Sequence, residues 1–294
     1  MNGILIVDKP AGMTSHDVVS KVRRVARQKK VGHAGTLDPM ATGVLVLALG
    51  QATRTIEYLT LQDKIYEAVV QLGAVTDTYD AEGKVVRQHE GALPTREQVE
   101  ASLSRFRGDI LQKPPIFSAI KKGGEALYKK ARRGEQIEIQ ARPLTIYDLT
   151  LTEWQPSELS LHVHCSKGTY IRSLAYDIGE DLTVGAYLKQ LRRTASGLFT
   201  LANAHSLATV ISATPDELEA LLFPVGTGLD ALPSFVADER VKKELSYGRA
   251  LPRHVYTKVN NEQLVRAIDQ TGTLIAILGW NAQKGWQPKK VFIR

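Results

Sequence analysis

Strict alternation of apolar and polar side chains marks two stretches of the chain as half-buried β-strands. The first is KIYEAVVQL at 64–72, in which Tyr66 begins the apolar face. The second is LSLHVHCS at 159–166, whose polar face carries His162 and His164. Two shorter apolar runs predict further strands: GILIV at 3–7 and VLVLAL at 44–49.

Helical spacing of apolar residues predicts three helices. The first follows a cap at Thr14 or Ser15 and turns Val18 and its helical neighbours inward. The second, in TREQVEASLSRF, is capped by Thr95. The third, in IRSLAYDIGEDL, places Arg172 near its N-terminal end, where a cation opposes the helix dipole. Such a position indicates an anion nearby, although a surface arginine without a partner is the ordinary alternative.

Beyond about residue 230 the character of the chain changes. The stretch DALPSFVADERVKKELSYGRALPR is polar and marked by prolines, and it is followed by short alternating runs. We interpret four of these runs as strands: HVYTKV, LVRAID, GTLIAILGW and KKVFIR. The chain is therefore expected to form a large domain at 1–233 and a small, mostly β domain at 234–294.

Composition limits the class of protein. A chain of 294 residues with 43% hydrophobic content can bury a full core. Its longest apolar run is far too short to cross a membrane, and its first residues lack the features of a signal peptide, so we expect a soluble cytoplasmic protein. The single cysteine, Cys165, excludes an intrachain disulfide. His162 and His164 have no obvious third metal ligand, so we expect no metal site.

Basic residues exceed acidic ones by seven, and they occur in three clusters. The clusters lie in KVRRVARQKK at 21–30, in KKGGEALYKKARRG at 121–134 and in LKQLRR at 188–193. A solvated surface explains any one of them. Three together favour binding to a phosphate backbone, because each cation that meets a phosphate releases counterions.

The segment GHAGTLDPMATGVLVLALG at 32–50 holds one aspartate, Asp38, in front of Pro39. Pro39 disfavours the helical region for Asp38, and the glycines allow turns that other residues forbid. A turn leading into a strand is the ordinary explanation. If Asp38 is buried and ionised it needs a counter-charge, and Arg172 is our candidate.

Five long motifs, in one order along the first 200 residues, resemble the TruB family of bacterial tRNA pseudouridine synthases. They are DKPAGMTS at 8–15, GHAGTLDPMATGVL at 32–45, KIYEAVVQLGAVTDTYDAEG at 64–83, PPIFSAIKKGGEALYKKARRG at 114–134 and GTYIRSLAYDIGEDLTVGAYLKQLRRTASG at 168–197. The resemblance implies an α+β fold with a mixed, largely antiparallel central sheet flanked by helices, and a small PUA-like, RNA-binding C-terminal domain. It implies isomerisation of uridine 55 in the tRNA T loop to pseudouridine by base flipping, without metal or organic cofactor.

The resemblance also suggests roles for individual residues. Asp38 matches the catalytic aspartate, Tyr66 the active-site tyrosine and Arg172 the arginine that pairs with the aspartate. Lys9 and Tyr170 are expected to shape the pocket, and His33 to pack into the T loop. The remaining expected RNA contacts are basic, and those at 121–134 belong to a segment expected to close over the RNA: Lys121, Lys122, Lys129, Lys130, Arg132, Arg133, Arg192 and Arg193.

Residue types leave several alternatives open. Asp38 could add covalently to the substrate or could remove the 2′ proton to give a glycal intermediate. A noncatalytic tRNA-binding or tRNA-folding protein would share the basic clusters. A glycoside or nucleoside hydrolase would need a second carboxylate, for which Asp77, Asp80 and Glu82 are available. We expect a tRNA partner, no membrane, no obligatory protein partner and a monomer.

Overall fold

The computed structural model describes residues 1–116, 121–122, 125–126, 133, 139–257 and 264–293. The segment expected to close over RNA, 121–134, therefore falls mostly outside the described residues. Lys129, Lys130 and Arg132 lie outside them altogether.

Strands supply most of the regular structure. Their bounds are β1 Gly3–Lys9, β2 Val31–His33, β3 Thr42–Leu49, β4 Lys64–Leu72, β5 Ala74–Thr76, β6 Val85–Gln88, β7 Gly108–Gln112, β8 Lys121–Lys122, β9 Glu125–Ala126, β10 Arg142–Gln155, β11 Glu158–Cys165, β12 Ala186–Ser196, β13 Phe199–Thr200, β14 His205–Ser206, β15 Ser234–Val236, β16 Leu264–Ile268, β17 Leu274–Asn281 and β18 Gly285–Val291.

Helices flank these strands. Their bounds are α1 Ser15–Val25, α2 Ile56–Leu59, α3 Arg96–Arg105, α4 Ile171–Asp181, α5 Leu207–Ser212, α6 Pro215–Ala220 and α7 Glu239–Ser246. Short 3₁₀ turns add Gly50–Thr55, Leu201–Asn203 and Arg253–Val255.

In the described part of the chain, ten strands join into one sheet with the order β14-β1-β3-β12-β4-β11-β10-β7. Strand β2 pairs with β3, and β13 pairs with β12. Most neighbours are antiparallel, whereas β1 with β14 and β3 with β12 are parallel. The predicted α+β class with a mixed, largely antiparallel sheet is confirmed.

Local pattern explains why these elements form. Strand β4 buries alternate residues from Lys64 to Leu72, as its period of two requires. Helix α1 begins at a capping box, in which the Thr14 hydroxyl accepts from the Asp17 backbone N–H and Asp17 accepts from that of Thr14. Thr95 caps α3 in the same way, as predicted.

The C-terminal sheet, in the order β15-β16-β17-β18, has its own buried cluster around Trp286. Leu274 and Ile277 of β17 also pack in another buried cluster, with Phe199 and with residues of β1 and β3. One local expectation was wrong, because the start of HVYTKV lies in a 3₁₀ turn and not in a strand. The polar stretch before β16 contains α7, which buries Leu245.

The centre of the sheet brings β3, β12 and β4 side by side, so the loop before β3 meets residues of β12 and β4. This close approach requires Gly43, whose φ is +100° and which lies opposite Arg193. A Cβ at Gly43 would lie 2.2 Å from the Arg193 carbonyl oxygen. Glycine therefore satisfies both the backbone conformation and the contact at this position.

We expect Gly43→Ala to lower the free energy of unfolding by about 3 kcal/mol, because it adds a backbone collision to an unfavourable φ. Gly12→Ala is the matched control. Gly12 has a φ of +81°, and a Cβ added there would meet no atom within 4 Å, so only the conformational cost of about 1 kcal/mol applies. Urea unfolding of both variants measures the difference, and equal losses would contradict the steric account.

Candidate active site

Asp38 lies in the loop that joins β2 to β3, and its two neighbours in sequence are fastened to other elements. The Ser15 hydroxyl accepts from the Leu37 backbone N–H at 2.8 Å and donates to the Leu37 carbonyl at 3.0 Å. The Gly12 backbone N–H donates to the Pro39 carbonyl at 2.9 Å. Asp38 therefore stands on a backbone held from both sides.

Lys9, the last residue of β1, also contacts the Asp38 loop. Its side chain is fully buried, and its ammonium donates to the carbonyls of Pro10, Met13 and Pro39 at 2.8, 2.7 and 3.2 Å. Burial lowers the pKa of Lys9 to about 8. Because its ammonium is enclosed by carbonyl oxygens, Lys9 presents no surface to RNA, and it contacts the Asp38 loop through the Pro39 carbonyl.

Arg172, the second residue of α4, meets both oxygens of the Asp38 carboxylate. Its Nη2 donates to Oδ1 at 3.1 Å, and its Nε lies 3.0 Å from Oδ2. The Arg172 side chain is only 6% exposed, whereas that of Asp38 is 32% exposed. The ion pair expected from the sequence is thus present, with one face of the carboxylate open.

A second carboxylate lies on the other side of the guanidinium. Arg172 Nη1 lies 3.6 Å from Oδ2 of the buried Asp80 and donates to the Thr78 carbonyl at 3.2 Å. Asp80 also accepts from the Thr78 hydroxyl at 2.6 Å. Two carboxylates and a carbonyl therefore fix the orientation of Arg172.

These charges act on Asp38 in opposite directions. Burial raises the pKa of Asp38 above its ordinary value of 3.8, Arg172 lowers it, and the negative charge of Asp80 raises it again. Glu82 lies in the same cavity, and burial raises the pKa of its carboxyl as well. Arg172 is therefore the cation that chiefly favours the ionised form of Asp38.

The start of α4 is fixed by a residue that sequence patterns did not indicate. Gln112, at the end of β7, donates to the Tyr170 carbonyl at 3.1 Å and accepts from the Tyr170 N–H at 2.8 Å. The Ser173 hydroxyl donates to the Lys113 carbonyl at 2.8 Å. No local sequence signal relates β7 to α4, because the two elements are far apart in sequence and come into contact only in the folded chain.

Asp38 and Arg172 open into a cavity of about 590 Å³ that Tyr66 and Tyr170 also line. Tyr66 is buried, and burial raises the pKa of its phenol, while the nearby positive charge of Arg193 lowers it. Lys64 lines the cavity from the same face of β4, and burial lowers its pKa to about 8. The alternation of β4 places Lys64 on the same face as Tyr66, so the sequence pattern contained a signal that Lys64 belongs to the site.

The residues expected to contact RNA lie in different environments. Arg193 is fully buried, whereas Arg192 is partly exposed and pairs with Asp8 at 2.8 Å. His33 is half-buried, and burial lowers its pKa. Arg133 is exposed in a turn. Of the other basic residues at 121–134, only Lys121 and Lys122 have a described backbone, in β8.

The carboxylates considered for a hydrolase lie close to the same loop. Asp77 accepts from the Lys84 backbone N–H at 2.8 Å, and Asp80 belongs to the Arg172 cluster. Glu82 lines the cavity.

Metal ligands and membrane helices can be assessed for the described residues only. Among them, no three His, Cys, Asp or Glu side chains are grouped so as to hold a metal ion. In the same part of the chain, no helix has the length and apolar character needed to cross a membrane.

Known proteins resemble the chain over its whole length. The family described as TruB family pseudouridylate synthase, N-terminal domain, matches residues 23–171, and the tRNA pseudouridylate synthase B C-terminal domain matches 172–230. Proteins called tRNA pseudouridine synthase B are 43% identical in Solibacter usitatus, covering 94% of this chain and 95% of that one, and 42% identical in Dehalococcoides mccartyi strain CBDB1, covering 100% and 97%.

Solved structures share the fold. A Cbf5–Nop10–Gar1 complex contains a chain with a TM-score of 0.79 and 25% identity, covering 99% of this chain and 85% of that one. An H/ACA RNP bound to a substrate RNA containing 2′-deoxyuridine gives a TM-score of 0.76 at 23% identity, covering 99% and 85%.

Proposed function

This chain belongs to the TruB family of pseudouridylate synthases, and from that premise we propose that it isomerises uridine 55 of the tRNA T loop to pseudouridine. The observation that carries the proposal is the Asp38 carboxylate, held by Arg172 at one face and open at the other to a cavity lined by Tyr66. A carboxylate that must meet one atom of a nucleoside needs this kind of fixed position.

The reaction rearranges bonds within one nucleotide. The bond from C1′ to N1 breaks, a bond from C1′ to C5 forms, C5 loses a proton and N1 gains one. Substrate and product have the same atoms and the same oxidation level, so the isomerisation needs no cofactor. Asp38 acts either as a nucleophile or as the base that removes the 2′ proton, and both routes need its ionised form.

Tyr66 is proposed to act on the extruded base. Its ring lies in the cavity with Asp38 and offers a stacking surface, and its phenol is the candidate group for the late removal of the C5 proton. Extrusion of the base costs a few kcal/mol, which stacking and contacts to the RNA backbone offset.

The remaining roles concern recognition. We propose that Tyr170 shapes the cavity, that His33 packs into the T loop, and that exposed basic residues bind phosphates. The domain at 234–294 is proposed to bind RNA, and the chain to act as a cytoplasmic monomer without an obligatory protein partner.

The test is incubation of the purified protein, in the presence of EDTA and without added cofactor, with an unmodified tRNA transcript, followed by mapping of pseudouridine along the RNA. We expect product at uridine 55 alone. Free uracil would instead indicate a hydrolase, and tight binding without product would indicate a noncatalytic tRNA-binding protein.

A further inference from the structure

Arg193 was expected to contact RNA, but the fold places it at the centre of the sheet. It lies on β12 between β3 and β4, and its side chain has no exposed surface. Burying a guanidinium costs free energy unless its N–H groups are hydrogen-bonded and its charge is stabilised by nearby polar groups.

The partners of Arg193 lie on the segment that carries Asp38. Its Nε donates to the Val44 carbonyl at 2.7 Å, its Nη2 to the Gly35 carbonyl at 3.2 Å and its Nη1 to the Thr36 carbonyl at 3.5 Å. Gly35 and Thr36 lead into Leu37 and Asp38, and Val44 is the third residue of the strand β3 that follows. One side chain thus ties both ends of the Asp38 loop.

The same guanidinium faces Tyr66. Arg193 and Tyr66 are direct cross-strand partners of β12 and β4, so their side chains share a face, and both line the cavity. The positive charge and hydrogen bonding of Arg193 oppose the rise in the phenol pKa that burial causes. Arg193 therefore connects the two groups to which the reaction is assigned.

We propose that Arg193 is a positioning residue, which holds the backbone of the Asp38 loop and the phenol of Tyr66 in one frame. The inference rests on the proposed roles of Asp38 and Tyr66. Arginine suits this position because its planar fork reaches several acceptors at once and keeps its charge when buried. A lysine at 193 would keep the charge but lose the fork, whereas a glutamine would lose the charge.

The experiment compares Arg193→Lys and Arg193→Gln with the wild type. We expect both substitutions to lower the single-turnover rate of pseudouridine formation at saturating tRNA by about 100-fold, because a misplaced loop takes Asp38 out of reach. The Kd for tRNA and its salt dependence should not change. Arg193→Gln should also move the titration of Tyr66 to higher pH, measured by NMR of labelled tyrosine with Tyr66→Phe for assignment.

Arg107→Lys is the matched control. Arg107 donates through Nε and Nη2 to the Leu149 carbonyl at 2.9 and 2.8 Å, and it does not line the cavity. Its replacement should lower the Tm and leave the single-turnover rate unchanged. Arg193→Lys removes the planar guanidinium and keeps a cation, whereas Arg193→Gln removes the charge. Because both substitutions are expected to lower the rate, either variant tests the proposal if it folds.

Two results would overturn the proposal. A weaker Kd, with a salt slope reduced by about one and an unchanged rate at saturation, would make Arg193 an RNA contact after all. A loss of Tm like that of Arg107→Lys, with rate and Tyr66 titration as in the wild type, would leave it a structural residue only. Absence of pseudouridine with the wild-type protein would instead contradict the proposed function.

Discussion

Asp38→Asn is expected to lower the rate of pseudouridine formation by about 10⁴-fold or more, while tRNA binding persists. The amide can neither add to the substrate as a nucleophile nor remove a proton, so both possible routes fail. It keeps the shape of the carboxylate and one acceptor for Arg172, so the cavity should keep its form. Single-turnover formation of pseudouridine and the Kd for tRNA measure the two effects separately.

Asp148→Asn is the control for this substitution. Asp148 lies on β10, outside the cavity, and is half exposed beside His162. We expect its rate and affinity to equal those of the wild type. A variant Asp38→Asn that kept its rate would remove Asp38 from the chemistry and leave it as a residue of a turn.

Arg172→Met is expected to lower the rate by about 10³-fold and Arg172→Lys by about 10²-fold. Methionine leaves Asp38 and Asp80 close together without their common cation, and lysine cannot meet both oxygens of Asp38. The free energy of unfolding should also fall by about 3 kcal/mol in Arg172→Met, as for other broken buried ion pairs. Rate and urea unfolding are the measurements.

The pH profile separates an electrostatic role of Arg172 from a purely structural one. In the proposed mechanism Asp38 acts in its ionised form, so we expect the rate to rise as pH rises through the Asp38 pKa. Arg172 lowers that pKa, hence Arg172→Met should move the acid limb of the profile to higher pH. An acid limb that did not move would show that Arg172 does not set the charge of Asp38.

Arg105→Met supplies the control for a lost ion pair. Arg105 on α3 pairs with Asp181 of α4 at 2.6 Å, outside the cavity. Since Arg105 is largely exposed, loss of this pair should cost at most about 1 kcal/mol and leave the pH profile unchanged.

The pairing of Arg172 with Asp38 illustrates how much of the site could be inferred from sequence. The helical stripe of α4 placed Arg172 at the helix start, and Pro39 and the glycines singled out Asp38, because both signals are local. The alternation of β4 placed Tyr66 on the inner face of the strand, and only the resemblance suggested a role for it in the site. The resemblance of long motifs added the reaction, which spacing alone could not supply.

Arg193 and Lys9 show why the rest could not be inferred. Arg193 donates to the Gly35 carbonyl and Lys9 to the Pro39 carbonyl, both distant in sequence, and the residue type alone does not indicate such neighbours. Arg192 and Arg193 are adjacent in sequence, yet one reaches a surface carboxylate and the other is fully buried. A cluster of basic residues in the sequence therefore does not by itself show that their side chains lie on the surface.

The periodicity of the main strands and helices, the candidate carboxylate and the family could be inferred from the amino-acid sequence, because these depend on local order or on long motifs. Which charged side chains are buried, and which groups they contact, depends on how the strands and helices pack together. The pairing of β12 with both β3 and β4 brings Arg193 to the Asp38 loop and to Tyr66, and the end of β7 brings Gln112 to Tyr170. These contacts join residues that are far apart in sequence. They form because a polar group that is buried by folding needs a hydrogen-bond partner.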